Sequence, residues 1–225
     1  MKEKAFTLAE VLITLGIIGI VAAMTLPALV NRTRQKDLET AFKKQYTLLQ
    51  QAILKIKYED DLPFEYASYT STFSPRVAKE YKATKDCGSI NHNTGCILQN
   101  EDKSFTYYKT LNGKNIDRDY FDDGSFISTD GTTFFIEQGH QAANITGYII
   151  SIDVNGYQKK PNRMGYDLFM FQITKDGKVL PMGSENTYWK EFREQYCSKT
   201  SSLPLNGFTC AYYAATDKDY FKNLH

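Results

Sequence analysis

Apolar residues run almost unbroken from Ala5 to Val30, and from Leu38 onward they recur every three or four positions. The first stretch exceeds the roughly 20 apolar residues that an α-helix needs to cross a bilayer. In the second, Leu38, Phe42, Leu49, Ile53 and Ile56 share one stripe, with Ala41, Tyr46 and Ala52 beside it. Lys36, Asp37, Glu39, Lys43, Lys44 and Gln50 lie opposite. That spacing predicts an amphipathic helix whose stripe packs on a globular domain rather than on a coiled-coil partner. Joined, the stretches predict one helix from Phe6 to about Tyr58, on the order of 80 Å long at about 1.5 Å per residue. Asp60, Asp61 and Pro63 end it. Gly16, Gly19 and Pro27 are its weak points, and the missing proline N–H predicts a break or flexible point at Pro27.

Past Tyr66 the composition shifts to Tyr, Phe, Thr, Gly and Asn, in short apolar segments bounded by turn residues. Strands are expected at Phe105 to Lys109, Ser125 to Ser128, Thr133 to Glu137, Tyr148 to Asp153, Leu168 to Thr174 and Lys178 to Pro181. Asn112-Gly113, Asp123-Gly124, Asp130-Gly131, Asn155-Gly156 and Asp176-Gly177 favour tight hairpins between them. The expected class is α+β, a long N-terminal helix packed on a small antiparallel sheet. The divisions are a short charged N-terminal segment at 1–5, a transmembrane half at 6–30, an amphipathic half at 31–60 and a β-rich domain at 61–225, with no second core required.

One carboxylate, Glu10, stands inside the apolar span. An acid there costs roughly 2.5 to 3.5 kcal/mol on insertion scales, so it reads as functional and in need of a cationic partner. The segment Lys4-Ala5-Phe6-Thr7-Leu8-Ala9-Glu10-Val11-Leu12-Ile13 resembles the N-terminal signal of type IV prepilins and type II secretion pseudopilins. The resemblance implies a pilin-like fold and cleavage by a membrane-embedded prepilin peptidase between Ala5 and Phe6, with Ala5 standing where the family usually has Gly. It further implies N-methylation of the new Phe6 amine, an assembly role for Glu10, and a helix break at Pro27, where the family often has proline. The implied partners are other pilin or pseudopilin subunits and an inner-membrane assembly machine. In a helix that includes Phe6, its amine and the Glu10 carboxylate would lie at i and i+4 on one face. Between subunits the same pair would set register, because a buried charge is tolerated only when matched.

Two rivals remain for this segment. A secretory signal peptide ending near Ala28 is longer than the roughly 7 to 15 apolar residues expected of one and would contain a charge. An ordinary single-pass anchor gives Glu10 no task. Charge counting sets Lys2 and Lys4 against Arg32, Arg34, Lys36, Lys43 and Lys44, which would place the large domain in the cytoplasm. The cysteines and the resemblance place it outside the cytoplasm, on a single-pass protein of the bacterial inner membrane that later joins a pilus or pseudopilus.

Cys87 and Cys96 bracket a short turn-rich loop, as do Cys197 and Cys210, so two local disulfides are favoured among three connectivities. Zinc is disfavoured, since no C-x-x-C occurs and His92 alone lies near a cysteine. From Ser151 to Phe169, Asp153, Asn155, Asn162 and Asp167 offer hard oxygens of the kind Ca²⁺ takes. The alternative for the same residues is a turn closed by Asx hydrogen bonds. The stretch resembles a loop common in pilin-like proteins, some of which bind calcium in a C-terminal loop; otherwise no cofactor is expected. His92, His140 and His225 have no nucleophile beside them, Asp122 and Asp123 read as solvated turn residues, and no enzymatic activity is expected. With 27 Lys+Arg against 26 Asp+Glu, nucleic acid is not indicated. The expected function is a structural filament subunit, a minor pilin or pseudopilin. The alternative is a membrane-anchored or secreted extracytoplasmic binding domain that never polymerises. Nothing in the globular half chooses among secretion, adhesion, twitching and DNA uptake.

Overall fold

A computed structural model describes residues 7–69, 71–88, 104–138 and 147–224. Helix α1 (Leu8–Asp60) is continuous for 53 residues. It ends at Asp61, whose left-handed backbone (φ 49°) lets its N–H reach the Lys57 carbonyl at 3.2 Å. Pro27 lies inside the helix and does not break it, contrary to the expected break. Proline removes one intrahelical hydrogen bond, and the uninterrupted ladder on either side holds the axis together. The predicted stripe is the buried one: Leu38, Phe42, Leu49, Ile53 and Ile56 are all in the core, joined by Gln45.

Two short helices follow, α2 (Tyr66–Tyr69) and α3 (Phe73–Glu80). Next come strands β1 (Lys85–Gly88), β2 (Ser104–Lys109), β3 (Asn115–Asp117), β4 (Gly124–Ile127), β5 (Thr133–Gln138), β6 (Tyr148–Asp153), β7 (Leu168–Ile173) and β8 (Val179–Pro181), then helix α4 (Cys210–Thr216). Strands β1-β4-β5-β6-β7-β8 form one sheet, antiparallel throughout, and β2-β3 form a separate ribbon. Register across the centre sets Ile136 against Ile150 and Ile150 against Phe171.

Every residue of β5, β6 and β7 is buried. Phe134, Ile136, Ile150, Ile152, Phe169 and Phe171 face α1, whereas Phe135, Ile149, Leu168 and Met170 face a second apolar cluster with Phe105, Tyr108, Phe121, Trp189 and Phe208. The sheet therefore has a core on each face, where one was expected. The cause is legible in strands such as Leu168-Phe-Met-Phe-Gln-Ile173, which lack the polar alternation of a sheet with one wet face.

The expected strands all form. Asn112-Gly113, Asp130-Gly131 and Asp176-Gly177 lie between paired strands β2-β3, β4-β5 and β7-β8. Asp123-Gly124 instead leads into β4, and Asn155-Gly156 opens a long excursion before β7. Gly156 (φ 83°) lies so close to the β4–β5 turn that an added Cβ would come within 2.2 Å of the Gly131 carbonyl oxygen. That contact, rather than a hairpin, explains the glycine. Beyond α1's stripe, the Arg76 guanidinium of α3 bonds both Asp60 carboxylate oxygens at 3.2 Å and pairs with Glu59 and Glu80, fastening α3 to the end of α1.

Candidate functional site

Among the described residues, none packs on the inner half of α1. The aliphatic side chains from Leu8 to Val30 are exposed, and the helix is apolar and long enough to cross a membrane. Residues 8–30 rise about 34 Å, against about 30 Å of hydrocarbon in a bilayer.

At its tip, Thr7 is the N-cap in extended conformation (φ −78°, ψ 150°). Its hydroxyl accepts the Glu10 N–H at 3.3 Å, and the Glu10 carboxylate accepts the Thr7 N–H at 2.8 Å and the Thr7 O–H at 2.7 Å. This is a capping box, which satisfies otherwise unpaired donors at a helix start and sets a negative charge where the helix dipole favours one. One expectation changes. Glu10 already has a local partner, which the Thr7-x-x-Glu10 spacing could have revealed. Ala5 and Phe6 lie outside the described residues.

The Asp153–Asp167 loop brings all four nominated residues together. Asp153 accepts the Asn155 and Gly156 N–H groups at 3.3 and 3.0 Å and the Tyr108 O–H at 2.6 Å. Asp167 accepts the Asn162 and Arg163 N–H groups at 2.9 and 2.6 Å. Burial pushes Asp167 up to about 6, and burial plus the neighbouring Asp167 pushes Asp153 well above the usual carboxyl range. All four carboxylate oxygens thus receive hydrogen-bond donors. Of the four nominated residues, Asn155 and Asn162 have side-chain oxygens that are buried and accept no hydrogen bond from the described residues. Calcium takes about six to eight oxygens; the hydrogen bonds that the loop makes are those of Asx turns.

Cys197 and Cys210 are bonded, with Cα atoms 5.0 Å apart, tying the C-terminal loop to the start of α4. In the chain-entropy picture such a bridge contributes roughly 3 kcal/mol. Cys87 is buried on β1, while its expected partner Cys96 lies outside the described residues, as do His92, His140 and His225.

Sequence reading missed two polar clusters because their members are distant in the chain. Gln45 on α1 donates to Asp130 at 3.1 Å and Thr132 at 2.8 Å, and Lys44 pairs with Asp130 at 2.6 Å, latching α1 to the β4–β5 turn. Asp122 and Asp123 are half-buried and gather with Glu137 of β5, all three offering oxygens within 4.8 Å of one another, rather than lying solvated. Asp123 also accepts the Gln138 N–H at 2.8 Å.

Burial, helped by Asp123, Asp122 and Asp119, pushes the Glu137 carboxyl up to about 9. Between its unfolded value near 4.5 and that folded value, the unfolded chain gives up a proton that the folded chain keeps, so stability falls as pH rises. Glu137→Gln, which cannot titrate, is expected to match the parent near pH 4.5 and to gain about 2–4 kcal/mol by pH 8. Thermal unfolding of the full chain in detergent across that range checks this; parallel curves would contradict it.

Residues 1–26 match the family model described as the prokaryotic N-terminal methylation motif, the prepilin-type signal of type IV pilins and pseudopilins. No curated protein and no solved structure matches the chain.

Proposed function

We propose that this protein is a structural filament subunit, a minor pilin or pseudopilin, held in the membrane by its apolar half-helix until an assembly machine draws it into a helical bundle. The observation that carries this reading is a prepilin-type signal continuous with an exposed apolar span that ends in a domain-bearing helix. That span is unsuited to water and fits two environments, lipid and the packed centre of a filament. In the membrane Glu10 is satisfied by the Thr7 cap. In the bundle the amine of Phe6, free only once the 1–5 leader is cut, supplies the opposite charge from a neighbouring subunit. No step in this role requires catalysis: the domain is displayed, and the helix does the work.

Shearing cells that express an epitope-tagged chain together with its assembly machine tests the role. The subunit should pellet with filaments, and the fraction should vanish without the assembly motor. A chain that stays wholly in the membrane under both conditions supports the anchored binding domain instead.

A further inference from the structure

A cleft of about 320 Å³ opens where α1 leaves its apolar span, between the helix and the loop before β7. Arg34 and Leu38 form the helix side, and Pro161, Arg163, Tyr166 and Leu224 the domain side. Among the described residues, none that lines it is acidic. The two guanidiniums are held in place: Arg34 reaches across to the Lys160 carbonyl, and Arg163 sits 4.9 Å over the Tyr166 ring. The Arg163 Nε–H is buried and finds no acceptor among the described residues, a state that costs free energy unless something supplies an oxygen. Asp167, within electrostatic reach of Arg34, is buried and already accepts the Asn162 and Arg163 backbone N–H groups. Arg32, Lys36, Lys159 and Lys160, close in sequence to the lining residues Arg34 and Pro161, are exposed.

Depth decides what this cationic cleft meets. Val30 ends the apolar run, and residues 31–38 rise about 12 Å beyond it, which overlaps the 5–8 Å headgroup layer outside about 30 Å of hydrocarbon. At that level the abundant anion is a lipid phosphate, and cations near a membrane surface attract one. Leu38, Pro161 and Leu224 supply apolar walls next to the guanidiniums.

We propose that this cleft binds the phosphate of an anionic phospholipid headgroup, clasped by Arg34 and Arg163, with its glycerol end against the apolar walls. The proposal rests on the membrane-anchored reading and is independent of polymerisation. Headgroup binding would fix the height and rotation of the domain above the bilayer before extraction. It also gives a use to the cations that charge counting finds on the outer side of the span.

Native mass spectrometry of the full chain in detergent, with equimolar phosphatidylglycerol and phosphatidylcholine, tests it. The parent should retain the anionic lipid at least fivefold over the zwitterionic one. Arg34→Gln with Arg163→Gln should bring that ratio near one while circular dichroism shows the fold intact. Arg32→Gln with Lys36→Gln removes equal charge outside the cleft lining and should leave most of the preference. Equal loss in the two double variants would overturn the cleft in favour of diffuse charge, and a ratio near one in the parent, or a dimer occupying the cleft in place of lipid, would overturn the proposal. Retention of neither lipid would overturn the proposal, whereas a chain recovered from cells in the fraction soluble without detergent would overturn the membrane reading beneath it.

Discussion

A Glu10→Ala subunit is expected to be cut after Ala5 like the parent chain and yet to fall at least tenfold in the sheared-filament fraction. The reason is electrostatic. Inside the proposed bundle of apolar helices the Phe6 amine would be buried, and leaving one member of a buried pair alone costs about 3–5 kcal/mol, roughly two or more powers of ten in an equilibrium. The structure adds a competing role, because Glu10 also closes the capping box with Thr7. Losing that cap weakens the helix start by about 0.5–2 kcal/mol. Thr7→Ala separates the two roles: it removes the hydroxyl side of the cap and leaves the carboxylate. If Glu10 works by pairing between subunits, Thr7→Ala incorporates nearly normally. If the two variants fail equally, the cap is what matters and the pairing account is wrong.

The second large effect lies at the other end of α1. Phe42 is 1% exposed, with its ring 4.7 Å from that of Phe169, 5.9 Å from Phe171 and 5.7 Å from Phe221. It joins the helix to β7 and to the C-terminal segment at one point. Phe42→Ala should cost about 3–5 kcal/mol, through lost burial and the cavity left behind. Its exposed neighbour Lys43→Ala should stay within about 0.5 kcal/mol. Denaturant unfolding of the full chain in detergent measures both. A loss below about 1 kcal/mol for Phe42→Ala would mean that the helix is not anchored where the packing places it.

What could be read from the sequence follows the range of the forces involved. The stripe from Leu38 to Ile56 was legible because burial repeats along one helix face. The strands around Phe134, Ile150 and Phe171 were legible because β-branched and aromatic residues fill short segments between turns. The Cys197–Cys210 bridge closes a loop short enough to suggest itself. The short elements were not: β1 is Lys-Asp-Cys-Gly and owes its conformation to β4 far along the chain, and β3 is only Asn-Ile-Asp, too short to carry an alternation of its own. The same holds for the Gln45–Asp130 latch, for the hydrogen bond from Tyr108 to Asp153, and for the meeting of Glu137 with Asp122 and Asp123.

The candidate site divides similarly. Glu10 stood out as a charge in an apolar span, and the family motif at residues 1–26 agrees with the resemblance carried by its surroundings. The Thr7 cap was equally present in the spacing but is an ordinary helix-start signal, overshadowed by the larger cost of a carboxylate in lipid. The Asp153–Asp167 loop was legible as a cluster and as a turn closed by Asx hydrogen bonds, while the burial of both carboxylates and the Tyr108 O–H that reaches Asp153 depend on the distant β2 strand.

The central claim is that a proteolytic cut turns a membrane anchor into a filament subunit. Intact-mass and N-terminal analysis of the chain recovered from cells with an active prepilin peptidase tests this most directly. The account predicts a mature protein that begins at Phe6, carries one methyl group on its amine, and lacks the five leader residues Met1 to Ala5. A chain that retains Met1, or one that begins after Ala28, would contradict it.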